Sequence, residues 1–136
     1  MKIVLDTNVL VSGMLTPFGP CGEIVRMLTS GTITLCVDSR ILFEYESVLR
    51  RPRFKIDSGM IDLVLEHIES TAEACPTVPL PKPLPDSQDE PFLQVAVSGK
   101  ADYLVSRNLK HFPAKFRCGV RVLLPREFLR FFTEHE

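Results

Sequence analysis

No apolar run in this 136-residue chain approaches the ~20 residues that a membrane-spanning helix needs. The start is equally short of a secretion signal. Met1 and Lys2 lead into only Ile3, Val4 and Leu5 before Asp6, against the ~7–15 apolar residues of a signal core. Both absences lead to the expectation of a cytosolic protein with no membrane partner. Cysteine pairs at metal-binding spacing are missing too: Cys21, Cys36, Cys75 and Cys118 include no Cys-x-x-Cys, which argues against a zinc site. In a reducing compartment they read as four free thiols, mostly packed as small apolar groups. There is no Gly-x-Gly-x-x-Gly and no Walker loop, so readings built on a nucleotide cofactor fail. Internal repeats are absent. So is any excess of base, since the net charge is −1.

What is present suits one domain over residues 1–136 with a single core. The charges are unevenly spread. From Asp57 to Glu90 the acids Asp57, Asp62, Glu66, Glu69, Glu73, Asp86, Asp89 and Glu90 face Lys82 alone. From Lys100 onward bases outnumber acids, and Arg50, Arg51, Arg53 and Lys55 form a second basic cluster. An acidic centre between basic segments suits a metal site with phosphate-gripping surroundings, for which Arg50, Arg51, Arg107 and Lys110 are the candidates. Solvated faces of opposite sign would give the same pattern.

Lys2 to Asp6 reads as a short buried strand, apolar on both faces in the manner of a central parallel strand. Thr7, Asn8 and Ser12 read as caps and turns. Gly22 to Ser30 reads as a helix stopped by Gly31, and Thr32 to Val37 as a second strand. Asp38 or Ser39 caps a helix that runs to about Arg51, where Pro52 stops it. Asp57-Ser58 opens another, ending near Glu73. Pro76 to Pro85 holds five prolines and reads as an extended crossing with a short strand around Val78. Ser87 to Ser98 reads as a helix, Asp102 to Ser106 as a third strand and Arg121 to Leu124 as a fourth. Pro125 opens a terminal helix, Arg126 to Phe132. Strands alternating with helices predict a three-layer α/β/α fold around a parallel sheet of four or five strands.

In such a sheet, ligands bind outside the carboxyl ends of the strands. Two polar clusters fall there: Asp6-Thr7-Asn8 after the first strand, and Ser106-Arg107-Asn108 after the strand around Leu104. Asp6 follows three apolar residues, so its carboxylate emerges at the rim of the core, unless it serves as a cap or turn. At about 100° per residue, Glu44 lies beside Val48 on the border of the apolar arc Ile41, Tyr45, Val48 and Leu49. A carboxylate aimed there is costly unless paired or metal-bound; a pair with Arg40 is the plainer explanation. Glu46 has Arg50 as its partner one turn on. Asp89 shares a face with Phe92, Leu93 and Ala96. Asp86 and Glu90 are helpers, Glu90 also having capping-box spacing from Ser87.

Asp6, Glu44 and Asp89, with no well-placed histidine or cysteine, favour a hard cation, Mg²⁺ or Mn²⁺. The chemistry of such a site is phosphodiester hydrolysis through a metal-activated water. His67, His111 and His135 read as solvated surface, and Phe128, Phe131 and Phe132 as the packing face of the terminal helix.

At these residues the sequence resembles the PIN-domain family. The similarity runs from Val4-Leu-Asp-Thr-Asn-Val-Leu10 to the segment ending at Phe128. It is most specific over Asp86-Ser-Gln-Asp-Glu-Pro-Phe-Leu93 and Ala101-Asp-Tyr-Leu-Val-Ser-Arg-Asn108. It is especially similar to a branch made up of toxin components of toxin–antitoxin pairs. The resemblance implies a compact α/β fold and cleavage of single-stranded RNA by acids that bind Mg²⁺ or Mn²⁺. It assigns the acids to Asp6, Glu44 and Asp89, with Thr7 and Asn8 in support, and the small hydroxyl residue after the late strand to Ser106. Where many members carry a fourth aspartate, this chain has Asn108, which can orient water or a ligand and supplies no charge. It also implies an antitoxin protein masking the acidic cleft; a homodimer is a further hypothesis, requiring an exposed apolar helix face.

Two rivals remain at this level. A haloacid-dehalogenase-like phosphatase also places an aspartate after its first strand, but wants a second one two residues on, where this chain has Asn8. A PIN-like module that binds RNA or an antitoxin without cutting draws its support from Asn108.

Overall fold

The structure, a computed structural model, describes residues 1–134. Five short strands build one parallel sheet: β1 (Lys2–Leu5), β2 (Thr34–Val37), β3 (Glu73–Ala74), β4 (Tyr103–Val105) and β5 (Val122–Leu123). Their order is β3-β2-β1-β4-β5, which puts β1 at the centre. Ile3 stands opposite Tyr103, and Leu5 opposite Val105. Six helices flank the sheet: α1 (Thr7–Leu15), α2 (Pro20–Thr29), α3 (Ser39–Leu49), α4 (Ser58–Thr71), α5 (Glu90–Ser98) and α6 (Pro125–Glu134). The result is the three-layer α/β/α architecture, with α5 across β1, β2 and β4, and α6 across β4 and β5. Among the described residues no helix is long and apolar enough to cross a membrane.

Local chemistry explains most boundaries. Ile3, Val4 and Leu5 have no exposed surface, as a strand covered on both faces requires. Asp38 starts α3 by accepting from the Ile41 amide at 3.0 Å, and Asp57 starts α4 by accepting from Met60 at 3.0 Å. α3 is then locked to the end of β1. The fully buried Tyr45 donates its hydroxyl to the Leu5 carbonyl at 2.6 Å. Burial, with the charges of Asp6 and Glu44 nearby, holds that phenol well above its usual range. Tyr45 thus fixes Glu44, its neighbour on α3, relative to Asp6.

The structure corrects the sequence reading in four places. Thr7 to Leu15 is a helix rather than a run of turns. Its polar Thr7, Asn8 and Ser12 resemble turn formers, but Val9, Leu10 and Val11 are buried and pull the segment into the core. α2 begins at Pro20, where a proline is tolerated in the first turn, two residues before Gly22. The fifth strand is Glu73–Ala74 and not the stretch around Val78; it continues almost directly from α4 and pairs with Cys36 and Val37. Finally, Ser87–Asp89 is a separate 3-10 turn before α5, because Pro91 occupies the first turn of that helix.

The crossing of α1 and α2 depends on two glycines. A Cβ at Gly13 would lie 2.6 Å from the Cys21 carbonyl oxygen, and one at Gly22 only 2.1 Å from the Pro17 carbonyl oxygen. Real carbon–oxygen contacts do not come that close, so the helices can approach as they do only through missing side chains.

Candidate metal centre

The polar groups gather where the sheet order changes direction. The chain leaves β1 toward β2 on one side and returns to β4 on the other, which opens a crevice beyond the carboxyl end of β1. A cleft of about 460 Å³ lies there, lined by Asp6, Glu44, Asp86, Asp89 and His111 and also by Arg51, Arg53, Phe54 and Arg107.

Asp6 is 6 % exposed. It occupies the cap position of α1, yet its side chain makes no cap hydrogen bond. Instead its Oδ2 accepts from Ser106 Oγ at 2.7 Å and from Asn8 Nδ2 at 3.4 Å. The fully buried Ser106 therefore aims the carboxylate from the end of β4. Asn8 uses its other end to accept from the Arg107 amide at 3.2 Å, which ties the loop after β4 to α1. Glu44 is not paired with Arg40, which binds Asp38 instead. Its Oε2 accepts from the Thr7 hydroxyl, and so Thr7 links the first two acids.

Asp89 is 8 % exposed, and its Oδ2 is buried with no hydrogen-bond partner. Burial above all, then the charges of Asp6, Asp86 and Glu44, push its carboxyl up to about 6, partly offset by His111. An orphaned carboxylate oxygen among like charges fits a cation that would neutralise them. The same strain has a pH signature. An acid whose folded value lies above its unfolded value near 3.9 stabilises the fold below that value and loses the contribution as pH rises through the folded one. Asp89→Asn is therefore expected to raise the stability of the metal-free protein by about 1–2 kcal/mol at about pH 7.5, roughly 3–8 °C in melting temperature. The gain should vanish by about pH 4. Melting curves of both proteins across that range check it; an equal difference at every pH would refute the assignment.

Several expected site residues lie elsewhere. Asp86 lines the cleft but also accepts from the Gln88 amide at 2.9 Å, making it the cap of the 3-10 turn. Glu90 turns away to accept from Leu84 N at 3.0 Å, so the capping box with Ser87 does not form. Of the four phosphate-gripping candidates, Arg51 and Arg107 face the cleft. Arg50 is drawn off by Glu46 at 3.2 Å and Asp62 at 2.5 Å, and the exposed Lys110 is not among the lining residues. Arg53 and Phe54, the guanidinium 4.8 Å from the ring centre, take their place in the wall. Asn108 does not face the acids. Its Oδ1 accepts from Lys110 N at 3.1 Å, and its Nδ2 lies 3.0 Å from His111 Nε2.

Two histidines depart from the surface reading. His67 is half-buried, its Nε2 2.9 Å from the Leu28 carbonyl, joining α4 to α2. His111 enters the cleft, with Nδ1 3.7 Å from Asp6 Oδ2 and 3.6 Å from Asp89 Oδ1. His135 lies outside the described residues. No sequence signal marks His111, a lone histidine in a basic loop.

Among the described residues, the one three-member group whose ligand atoms all lie within 4.8 Å is elsewhere: Cys36, Glu73 and Cys75 at the β2–β3 edge. Lys2 already neutralises Glu73 at 3.0 Å, and burial with its neighbour Cys75 pushes the Cys36 thiol up to about 12. These thiols stay protonated and pack as apolar groups, as their free state suits. The cleft acids are more widely spread, as repelling carboxylates would be.

Compared with known families, residues 2–110 match the sequence model of the PIN domain. No curated protein matches the chain.

Proposed function

The chain belongs to the PIN-domain family, and from that membership we propose that it is a divalent-metal-dependent endoribonuclease acting on single-stranded RNA. PIN domains are generally metal-dependent nucleases. The observation that carries the reading is the pair of buried carboxylates, Asp6 and Asp89, in a cleft that Arg51, Arg53 and Arg107 also line. An anionic substrate is repelled by the first set unless a cation intervenes, and attracted by the second.

Asp6, Glu44 and Asp89 would hold Mg²⁺ or Mn²⁺, with Asp86 beside them. Bound there, a divalent cation supplies the charge that lowers the pKa of an attacking water and stabilises the leaving oxygen. The chain's own groups do the rest. Ser106 and Asn8 orient Asp6, while Thr7 orients Glu44. Arg107, braced on Ser12 at 2.5 Å, presents its guanidinium to a flanking phosphate, and Arg51 and Arg53 line the same cleft for a second phosphate contact. Phe54 offers an aromatic surface of the kind on which unpaired bases stack.

The similarity to toxin components supports a role as the toxin of a toxin–antitoxin pair in the cytosol, in keeping with four free cysteines. An antitoxin with a basic side chain would mask the acids. Phe43 on α3 and Met60 and Leu63 on α4 are exposed, which supports an apolar face for a homodimer. Sedimentation that finds only monomer at high concentration would remove that part of the proposal.

The decisive assay incubates the protein with fluorescent single-stranded RNA, with Mn²⁺ and with a chelator. Cleavage that requires the metal is expected. Intact RNA beside calorimetric Mn²⁺ binding would replace the nuclease by a module that binds RNA or an antitoxin without cutting.

A further inference from the structure

The position at which the sequence lacks a fourth acid is not the one that faces the cleft. Asn108 caps the next turn, and three residues later the chain turns His111 inward. Its Nδ1 is buried and has no hydrogen-bond partner, and neither has Oδ2 of Asp89, the acid it approaches. At 3.6 and 3.7 Å the ring nitrogen is too far from Asp89 and Asp6 to satisfy them by a hydrogen bond. We infer that His111 Nδ1 is a ligand of the cation held by Asp6 and Asp89, so that the centre is a mixed histidine–carboxylate set. The inference rests on the reading of the cleft as a metal centre.

The spacing suits a shared ion. With bonds of about 2.1 Å, adjacent donors of an octahedral shell are about 3.0 Å apart and opposite ones about 4.2 Å. Both nitrogen–oxygen separations fall between these limits; the two carboxylates stand more than 4.8 Å apart, so they must draw together around an ion that the ring nitrogen between them already approaches. The ring is also held from behind. Phe112, fully buried, packs edge-on against it with ring centres 6.4 Å apart, and the Asn108 carboxamide stands 3.0 Å from Nε2. The Lys110 amide donates to the carboxamide oxygen at 3.1 Å, which leaves the amide nitrogen facing the ring. Asn108 is then a positioning residue, the outer partner that a ligating histidine generally has. An imidazole in the set also favours Mn²⁺ and later divalent ions over Mg²⁺ more than carboxylates alone would.

A different role would leave the same static geometry: His111 as a counter-ion occupying the cation's place. The two are separated by the sign of one effect. Removing a ligand weakens metal binding; removing a competitor strengthens it. Mn²⁺ alone is titrated calorimetrically into the full chain, wild type and His111→Gln, with His67→Gln as control. Pulsed electron paramagnetic resonance on the Mn²⁺-loaded proteins then reads coupling to a coordinated nitrogen. The expected result is nitrogen coupling in the wild type and in His67→Gln, its loss in His111→Gln, and a Kd at least ~10-fold higher in that variant. Melting of the metal-free proteins verifies that each is folded. Mn²⁺ bound without nitrogen coupling, or bound equally or more tightly by His111→Gln, overturns the inference and leaves the metal centre standing. No Mn²⁺ binding by the wild type overturns both.

Discussion

Asp6→Asn is expected to lower metal-dependent RNA cleavage at least ~1000-fold while leaving the fold intact. The substitution keeps the shape of the side chain and exchanges one oxygen for an amide. Ser106 Oγ can still donate to the remaining oxygen, so the buried contact at 2.7 Å need not be lost. What disappears is one negative charge at the one place where β1, β4 and α3 converge. Asp89 cannot compensate, because it already contributes its own charge to the cleft and has none to replace the one lost. Loss of like-charge repulsion should even favour the folded metal-free protein slightly, as for Asp89→Asn. The measurement is the single-turnover rate on RNA, with a thermal melt of the same sample. A rate within tenfold of wild type in a properly folded variant would remove Asp6 from the centre.

Gly22→Ala should be the most damaging small change outside the cleft, at about 2 kcal/mol or more. Alanine normally strengthens a helix over glycine by about 1 kcal/mol, so a purely local view predicts stabilisation. The packing reverses the sign. The new methyl would meet the Pro17 carbonyl oxygen at 2.1 Å, its carbon at 2.4 Å and the Pro17 Cα at 2.6 Å, all backbone atoms. Either the loop before α2 or the helix itself must shift by about an ångström, disturbing α1 and with it Thr7 and Asn8. A fall in melting temperature of at least about 6 °C is expected. A melting temperature equal to or above wild type would mean that the loop yields freely and the contact carries no weight.

What the sequence made legible follows from how each signal arises. β1, β2, β4 and β5 are apolar runs bounded by turn formers, and α3 and α4 carry a regular apolar stripe behind an aspartate cap. Such signals are local, and local reading finds them. Asp6, Glu44 and Asp89 were legible because each is a carboxylate set against apolar neighbours. α1 was not, since Thr7, Asn8 and Ser12 are as good in a turn as on a helix, and only tertiary burial decides between them. β3 was missed because two exposed residues have no pattern; the edge of β2 recruits them. Arg50 was marked in sequence by Glu46 one turn before it, and only the fold adds Asp62 of α4 and leaves Arg51 to the cleft. His111 escaped because its meaning depends on a turn that Asn108 and Phe112 define only in three dimensions.

The central position of β1 has a temporal consequence. β1 leaves the ribosome well before its neighbour β4, and the hydroxyl that aims Asp6 lies 100 residues further along the chain. A nascent polypeptide that has just reached Lys100 contains all three carboxylates, yet lacks the flank of β1, Ser106, Arg107 and His111. The crevice cannot close before the segment that carries β4, Ser106 and His111 is synthesised and docked, a slow, non-local step of the kind that parallel sheets impose. A protein proposed to cut RNA would thus be harmless to its own message until that segment has docked.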